Sequence, residues 1–364
     1  MSTKAVIGLG FGDEGKGKTV DCLCSRDPSA MVVRFNGGHQ AGHTVVANGV
    51  HHVFSNFGSG TLRGCPTYWS RHCTFEPTGM LNELEDLKKK GFNPQLFVDA
   101  ECPVTTHFDI LMNRRMEEIK DHGSCGVGFG VTIEREERFF SLKFIDLFYP
   151  DILISKLKAI KGYHESGLPS GEFLDTCAEI RECKNIHMVF DRPEAESYIY
   201  EGAQGLLLDQ HYGFFPNVTR SNCGTENLPD EEIDYYLVTR AYQTRHGNGP
   251  MANENISHGI VSDPNETNQT HMWQGEFRRS ILSLDFLKYA IDRDRRLPGW
   301  NSNLVVTCLD HLKEYTYTYG DLQVWKGTKE SFLDGISSHL GIIKVFYSES
   351  NDSEFQMGGV WQDV

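Results

Sequence analysis

Short apolar runs alternate along this chain with segments whose apolar residues have helical spacing. The runs that predict buried strands are residues 5–9, 31–35, 96–99, 188–190, 198–200 and 304–307. One intervening segment begins near Thr78 and ends before Gly91, and its apolar residues share one helical face: Met80, Leu81, Leu84 and Leu87. Because alternating strands and helices are typical of βαβ units, the pattern predicts an α/β fold with a mainly parallel central sheet flanked by helices.

The number of domains can be predicted from the segments that interrupt this alternation of strands and helices. No internal repeat, low-complexity tract or convincing boundary divides the chain, so residues 1–364 are predicted to form a single domain. Hydrophobic residues make up 39% and charged residues 23%, which is typical of a packed soluble core. Two polar stretches stand out: DPNETN at residues 263–268 predicts a mobile loop, and the stretch from Ser348 onward predicts poor packing.

Charge and cysteine content narrow the function classes. The formal net charge of -15 argues against broad binding through charge, so no nucleic acid and no membrane is expected as a partner, whereas a small anionic substrate is compatible. The apolar run near the N-terminus is too short to cross a bilayer and does not resemble a signal peptide. The ten cysteines include one C-x-C pair, Cys22 and Cys24, without a second pair at zinc spacing. Free thiols and a cytoplasmic location are therefore expected.

The strongest local signal is GLGFGDEGKGKT at residues 8–19, which follows the first predicted strand and precedes a predicted helix. Glycines permit positive φ angles and let backbone N–H groups approach phosphate oxygens, and the N-terminus of the next helix adds positive charge. Residues 12–19 also match the pattern G-x-x-x-x-G-K-T. The segment therefore predicts a P-loop-like phosphate site, with a glycine-rich turn of solvated charges as the alternative.

Two carboxylates, Asp13 and Glu14, lie inside this predicted phosphate loop. They would repel a phosphate unless a metal ion or a proton compensates their charge. Their presence therefore indicates chemistry beyond the holding of phosphate.

A second candidate segment, RFNGGHQAGHT at residues 34–44, follows the next predicted strand. His39 and His43 could bind a metal ion together only from a helix, whereas the glycines around them favour a loop. A loop histidine that faces a phosphate loop is a good general acid, because its ordinary pKa lies near neutrality. We interpret His43 as catalytic and His39 as a structural loop residue.

Together these two segments resemble adenylosuccinate synthetase, whose usual pattern is GDEGKGK followed by GGHNAGHT. Further family segments, PSGIL, GTTGRG, EGAQG, YPYVT, TRVGAGP and TKLD, have counterparts in the same order: SGTL at 59–62, GSCGVG at 123–128, EGAQG at 201–205, FPNVT at 215–219, TRHGNGP at 244–250 and TCLD at 307–310. The resemblance covers roughly residues 4–310, and the shared order of so many segments argues against coincidence.

The resemblance implies a two-step reaction in which a nucleoside triphosphate phosphorylates the purine 6-oxygen and the α-amine of L-aspartate then displaces the phosphate. In this scheme Asp13 takes the proton from purine N1, and together with the backbone carbonyl of Gly42 it binds Mg²⁺. His43 stabilises the developing oxyanion at the transferred phosphoryl group, and Lys16 supplies positive charge to that group. Gln204 faces the substrate nucleotide.

The resemblance also implies which residues bind the nucleotide phosphates. Those expected around the phosphate loop are Gly12, Glu14, Gly15, Gly17, Lys18, Thr19 and Gln40. Ser124, Cys125 and Thr219 are expected to hold the 5′-phosphate of the acceptor, with Cys125 in place of the family's threonine. An ordinary turn is the alternative interpretation of Gln204 and Thr219.

The family is dimeric, and an arginine crosses to the substrate phosphate of the neighbouring subunit, so a homodimer is expected. Arg135 and Arg138 lie near the position of that arginine, although neither aligns cleanly. A solvated surface run of glutamates and arginines is the alternative for both.

Three segments depart from the family pattern. WQGEFRRS stands where cellular members have TTGRRRR, which leaves Arg279, and next to it Arg278, as the expected ligands of aspartate. Cys308 replaces the TKLD lysine that stacks on the guanine of GTP, whereas Asp310 remains and can read a base edge. Near the C-terminus, SESND replaces a GPDR-like segment.

These departures resemble the viral branch of the family, 2-amino-2′-deoxyadenylosuccinate synthetase, which acts on dGMP in the pathway to 2-aminoadenine DNA and can use an adenine donor. Some viral members replace the loop aspartate, whereas this chain keeps Asp13, and dGMP and IMP both carry the N1 proton. The expected reaction is dGMP with L-aspartate and ATP or dATP, in a host cytoplasm. The first alternative is a cellular-type enzyme that uses IMP and GTP. The second is a regulatory nucleotide-binding switch, which has no use for a second nucleotide site.

Overall fold

The computed structural model describes residues 2–120, 123–261, 266, 268, 273, 275–350 and 355–358. The helices are α1 (Lys16–Arg26), α2 (Pro77–Lys89), α3 (His107–Lys120), α4 (Phe129–Glu137), α5 (Pro150–Tyr163), α6 (Gly171–Glu182), α7 (Leu284–Arg293) and α8 (Lys329–Leu340). The strands are β1 (Ser2–Gly8), β2 (Met31–Arg34), β3 (His43–Ala47), β4 (Val50–Phe54), β5 (Thr67–Trp69), β6 (Leu96–Asp99), β7 (Ile186–Val189), β8 (Ser197–Gly205), β9 (Asp234–Arg240), β10 (Tyr242–His246), β11 (Phe277–Ser283), β12 (Asn303–Thr307), β13 (Tyr315–Tyr319), β14 (Gln323–Gly327), β15 (Lys344–Tyr347) and β16 (Gln356–Gly358). Within these ranges no helix is long and apolar enough to cross a membrane.

A ten-stranded sheet runs through the described part of the chain in the order β16-β15-β12-β9-β1-β8-β2-β5-β6-β7. Neighbouring strands pair in parallel, except that β16 runs antiparallel to β15. The prediction of a mainly parallel sheet is confirmed, and every predicted strand belongs to it.

Alternate residues of the central strands enter separate apolar clusters on the two faces of this sheet. In β1, Ala5 and Ile7 pack in a cluster that includes α7 and α8, whereas Val6 packs with Val20 of α1. A third cluster joins α2 and α6 to β6. Since successive side chains of a strand point to opposite faces, an uninterrupted apolar run is expected in a strand that helices cover on both sides.

Two smaller sheets do not follow from the apolar pattern. β3 and β4 form an antiparallel hairpin, and β10, β11, β13 and β14 form a four-stranded sheet. β3 begins at His43, so the loop predicted over residues 34–44 ends at residue 42, and His43 is the first residue of a strand instead of a loop histidine. β10 has the sequence YQTRH, and four of its five residues are buried although they are mostly polar. A polar strand of this kind has no apolar pattern that would predict it. Its buried side chains form hydrogen bonds near the cavity described below.

The polar segment near the C-terminus is packed where the structure describes it, contrary to the expectation of poor packing. Ser348 is buried, and its carbonyl accepts the N–H of Leu309 at 3.3 Å. The ammonium of Lys18 donates to the carbonyl of Ser350. The expected mobile loop at residues 263–268 lies outside the described residues except for positions 266 and 268.

Arg135 is buried in the protein interior, so it is neither a solvated surface residue nor an arginine that crosses to the neighbouring subunit. Its side chain is fully buried, its Nε lies 2.9 Å from Oδ1 of Asp109, and its Nη2 donates to the carbonyl of Val104 at 2.7 Å. His164 Nε2 lies 2.8 Å from the same Asp109 oxygen. A guanidinium held in this way is neither solvated nor able to reach a neighbouring subunit. Arg138, one turn further, is exposed.

Candidate active site

A cavity of about 950 Å³ opens beyond the carboxyl ends of the central parallel strands. The loops that follow β1 and β2 line it, as do residues directly after β8 and β12. In open α/β sheets this edge is where ligands bind, because the diverging loops leave a crevice there. Most sequence-predicted site residues line the cavity: Gly12, Asp13, Glu14, Gly15, Lys16, Gly17, Lys18, Gln40, Gly42, His43, Ser124, Cys125, Gln204 and Thr219.

The phosphate loop connects β1 to α1 and presents its backbone to the cavity. α1 begins at Lys16, and Gly15 precedes it with a φ of 92°, which favours glycine. A side chain at Gly17 would lie 2.7 Å from Cβ of His43, so this glycine lets the second loop approach the first. The hydroxyl of buried Thr19 donates to the carbonyl of Gly15 at 3.0 Å. Thr19 therefore supports the loop from behind, and the backbone and Lys16 face the ligand space.

Glu14 directs its carboxylate beneath the loop. One oxygen accepts the N–H of Gly10, and a side chain at Gly8 would lie 2.0 Å from the other oxygen. Burial raises the pKa of Glu14 to about 7, although Lys16, 3.8 Å away, lowers it. At neutral pH the carboxyl group is therefore protonated in a substantial share of molecules, which reduces the expected repulsion of a phosphate. The side chain acts as a brace of the loop.

Asp13 places its carboxylate on the cavity wall. Its backbone adopts a φ of 56°, and Arg240 Nε donates to its carbonyl, which fixes this turn of the loop. Arg240 itself is buried, with Nη1 2.7 Å from Oε2 of Glu266. His246 Nε2 lies 3.4 Å from Oδ2 of Asp13. Asp13 therefore has one oxygen beside an imidazole and remains open to the cavity.

Sequence reasoning assigned no role to His246 or Arg240. A signal for His246 was present, because the family pattern TRVGAGP has valine where TRHGNGP has this histidine. Arg240 gave no such signal, since the mixed sequence of β9 did not predict a strand.

His43 is held by a buried carboxylate that the sequence analysis did not assign. Its Nδ1 lies 2.5 Å from Oε1 of Glu201, and its Nε2 lies 3.3 Å from the carbonyl of Ala203. The N–H of Ser59 donates to the other oxygen of Glu201 at 3.0 Å, and the Ser59 hydroxyl donates to the first. This network orients the ring, because one ring nitrogen is committed to the carboxylate.

The pKa values of this pair define its charge state. Burial raises the pKa of Glu201, but His43, Arg34 and the Ser59 hydroxyl outweigh burial and bring it to about 2. Burial lowers the pKa of His43 although Glu201 raises it. At neutral pH the carboxylate is therefore ionised and the imidazole neutral, with Nδ1–H donating to Glu201. The carboxylate can stabilise an imidazolium if Nε2 gains a proton during a reaction.

Two glutamines bring unsatisfied polar atoms to the same wall. The side-chain oxygens of Gln40 and Gln204 have no hydrogen-bond partner among the described residues. Both side chains converge near Gly37, since a Cβ there would lie 3.3 Å from Gln204 Oε1 and 3.5 Å from Gln40 Nε2. Buried polar atoms are rarely left unpaired, so these atoms indicate a polar ligand. His39, by contrast, lies near Gly79, as expected of a structural loop residue.

A second end of the cavity lies at the N-terminus of α4. Ser124, Cys125 and Thr219 line it, together with Arg220, which the sequence analysis did not single out. The Ser124 hydroxyl is fixed by Asn113 Nδ2 at 2.8 Å. The predicted 5′-phosphate residues are thus brought together at one end, although they are far apart in sequence.

Arg278, Arg279 and Asp310 lie away from the cavity wall formed by the described residues. Arg278 is engaged, with Nη1 2.5 Å from Oε1 of Glu254. Arg279 shares a face of β11 with Phe277, and its Cζ lies 5.3 Å from the centre of that ring. Asp310 Oδ2 lies 3.8 Å from Nε2 of His311, which does line the cavity. The aspartate role of both arginines and the base contact of Asp310 stay predictions.

The oxygen atoms present fit the Mg²⁺ that the family resemblance implies. Asp13 and Gly42 line the same cavity. In the described part of the chain, no group of three or more histidine, cysteine, aspartate or glutamate side chains could hold a metal ion. Mg²⁺ is usually bound by one or two carboxylates, with substrate phosphates and waters as the remaining ligands. One carboxylate and one carbonyl beside a phosphate loop match that preference.

A family model described as adenylosuccinate synthetase matches residues 5–317. The chain belongs to the adenylosuccinate synthetase family. Adenylosuccinate synthetases of Nitrosomonas eutropha and Tolumonas auensis are 35% and 32% identical over 68% of this chain. The chain spans 64% of the length of these curated relatives.

Two solved structures have the adenylosuccinate synthetase fold seen here. The fully ligated adenylosuccinate synthetase of Plasmodium falciparum superposes with a TM-score of 0.73 over 97% of this chain and 98% of its own, at 16% identity. The cyanophage S-2L succinoaminodeoxyadenylate synthetase (PurZ), bound to dGMP and to dATP as an energy donor, gives 0.68 over 99% and 96%, at 14% identity. At such identities the likeness concerns the fold.

Proposed function

We propose that this protein is a ligase that joins L-aspartate to the 6-position of a 6-oxopurine nucleoside monophosphate at the expense of a nucleoside triphosphate, with dGMP as its preferred acceptor. One observation carries the proposal: a single cavity contains a phosphate loop with a cavity-facing carboxylate, a histidine–carboxylate pair opposite it, and a separate end with hydroxyl groups beside a helix N-terminus. A protein that binds one nucleotide alone would not need this second end of the cavity.

In the first step Asp13 removes the proton from purine N1, and the resulting 6-oxyanion attacks the γ-phosphorus of the donor. A bond forms between the 6-oxygen and phosphorus, the bond to the β-phosphate oxygen breaks, and the nucleoside diphosphate leaves. Lys16 and His43 face the charge that develops on the transferred group. Mg²⁺, held by Asp13 and Gly42, would neutralise phosphate charge when bound.

In the second step the amine of L-aspartate attacks purine C6. The C–N bond forms, the C–O bond to the phosphorylated oxygen breaks, and phosphate leaves while the amine loses a proton. A planar guanidinium is the group best suited to bind an aspartate carboxylate, and Arg279 is our candidate for it. The ring of Phe277 lies beside Arg279 and 4.8 Å from the ring of His246, so this strand connects the candidate aspartate ligand to the Asp13 region.

The preference for dGMP rests on the segment that contains Phe277. Two arginines remain of the family's arginine run, so a donor for the ribose hydroxyl is lost. Phe277 lies behind the cavity-lining His246 and does not itself line the described wall. If its ring is presented to the sugar when a nucleotide binds, a 2′-hydroxyl loses water without gaining a partner, which costs roughly 1–3 kcal/mol, or about 5- to 150-fold in discrimination. The dGMP bound by cyanophage PurZ, a protein of the same fold, supports the choice.

An IMP-using adenylosuccinate synthetase is the second candidate, and the names of the curated relatives favour it. A regulatory nucleotide switch is the candidate of another class. The test is phosphate release from ATP with Mg²⁺, in the presence and absence of L-aspartate and of the monophosphate. The proposal requires release that depends on both and a product whose mass equals that of the succinylated nucleotide. Release that is independent of aspartate would point to the switch.

We expect weak selectivity for GTP as the donor, with ATP or dATP used at least as well. Cys308 lines the cavity where the family has a lysine that stacks on guanine, and a thiol cannot replace that contact. Asp310 could still pair with the two N–H groups of a guanine edge. Initial rates with ATP, dATP and GTP at equal concentration measure the preference, and Cys308→Lys should move it toward GTP. A strong preference of the wild type for GTP would contradict this expectation.

A further inference from the structure

We infer that Arg220 binds the 5′-phosphate of the acceptor nucleotide from within the same chain. The inference rests on the proposed function, because it concerns the end of the cavity assigned above to the monophosphate. Arg220 follows Thr219 directly and lines the cavity with it. A Cβ at Gly130 would lie 3.9 Å from Cδ of Arg220, so the arginine stem lies over the first turn of α4. Arg220 therefore brings a cation to α4 one residue after the Thr219 hydroxyl, and its guanidinium extends along the helix to Glu134 and Glu137.

Two other arginines near this end are committed to the protein. Arg245 is buried, and its two terminal nitrogens donate to the carbonyls of Pro250 and Asn217 at 2.6 and 2.8 Å. Arg135 is buried against Asp109. Neither side chain can turn to a ligand without leaving a buried charge or carbonyl unpaired, which is costly.

Arg220, by contrast, pairs with partly exposed carboxylates. Nη2 lies 3.6 Å from Glu134 and Nη1 lies 3.1 Å from Glu137, and the three side chains are 45%, 33% and 61% exposed. Exposed ion pairs contribute little to stability, so exchanging them for a phosphate dianion costs little. A guanidinium and a phosphate form short, charge-assisted hydrogen bonds, often two in parallel.

Local charge makes such a cation necessary. Glu117 and Glu134 also line this end of the cavity. Without a compensating positive charge they would repel a 5′-phosphate, and the protein carries a net charge of -15. Arg220 pairs with Glu134 and directly follows Thr219 in the chain, so it offsets one carboxylate and supplies a positive charge for the phosphate.

The test compares binding of dGMP and IMP with binding of deoxyguanosine, which lacks the phosphate, by calorimetry on wild type, Arg220→Ala, Arg220→Lys and Arg115→Ala. Arg115 is exposed on α3 and lies away from the cavity wall formed by the described residues, so it controls for the loss of one charge. We expect Arg220→Ala to weaken both monophosphates by about 10- to 100-fold and deoxyguanosine by less than about twofold. Arg220→Lys should recover part of the loss, and Arg115→Ala should bind like wild type.

Unchanged monophosphate affinity in Arg220→Ala, or an equal loss for deoxyguanosine, would overturn the inference. Binding of ATP checks that the variant is folded. Because binding is measured without catalysis, failure of the proposed ligase reaction would be seen separately, as a wild type that binds monophosphate through Arg220 yet forms no aspartate adduct. A wild type that binds neither monophosphate would overturn both.

Discussion

Replacement of Asp13 by alanine should abolish turnover while binding of the monophosphate largely survives. In the proposed reaction this carboxylate takes the N1 proton, and loss of a general base costs on the order of 100- to 10,000-fold in rate. Binding should survive because the loop is held elsewhere: Arg240 donates to the backbone carbonyl of Asp13, not to its side chain. Steady-state turnover and calorimetric binding of dGMP measure the two effects separately.

Asp13→Asn is the better matched variant for this experiment. Asp13 has a φ of 56°, a region that asparagine tolerates and alanine does not, so alanine adds backbone strain of about 1 kcal/mol. The asparagine variant keeps the shape and the backbone and replaces the carboxylate with a neutral amide, which removes the negative charge and the basic oxygen. Near-normal turnover of Asp13→Asn would contradict the role of Asp13 as the base.

Replacement of His43 by asparagine should lower the maximal rate by about 100- to 1,000-fold and change nucleotide affinity little. An interaction made mainly in the transition state has this effect, and the imidazolium form of His43, which Glu201 stabilises, is the form that can donate to the developing oxyanion. Turnover and apparent affinity for ATP and for the monophosphate, each measured at saturation of the other substrates, separate rate from binding. A variant altered only in apparent affinity would mean that His43 positions substrate.

Glu201→Gln provides the companion variant. It keeps a hydrogen-bond acceptor near Nδ1 of His43 but removes the negative charge that stabilises an imidazolium. We expect the same direction of change as for His43→Asn, and no further loss when the two changes are combined, since the pair acts as a unit.

The central sheet and the phosphate loop could be predicted because their signals are local. Residues 5–7 of β1 and 304–306 of β12 are apolar and buried on both faces, and residues 12–19 form a dense glycine and lysine pattern. The polar strand β10 gave no such signal. Several of its buried side chains donate to groups far away in sequence, such as Gln243 Nε2 to the carbonyl of Ile281.

The partners of the site residues could not be predicted for the same reason. Glu201 lies within EGAQG, which was recognised, but its contact with His43 joins residues 158 positions apart. Arg135 looked like part of a charged surface because its neighbours in sequence are glutamates, whereas it is buried and pairs with Asp109 on another helix as well as with Glu136. The composition of a segment gives its net charge, but it does not show which of its charged side chains is buried against an opposite charge.

Competition between dGMP and IMP in one reaction, with L-aspartate, ATP and Mg²⁺, tests the proposed function most directly. Mass spectrometry distinguishes the two succinylated products, and their ratio at equal substrate concentration gives the ratio of turnover over apparent affinity. We predict that dGMP is preferred by about 5- to 150-fold, the range expected for an unpaired 2′-hydroxyl. Equal or preferred conversion of IMP would contradict the dGMP assignment and favour an IMP-using adenylosuccinate synthetase.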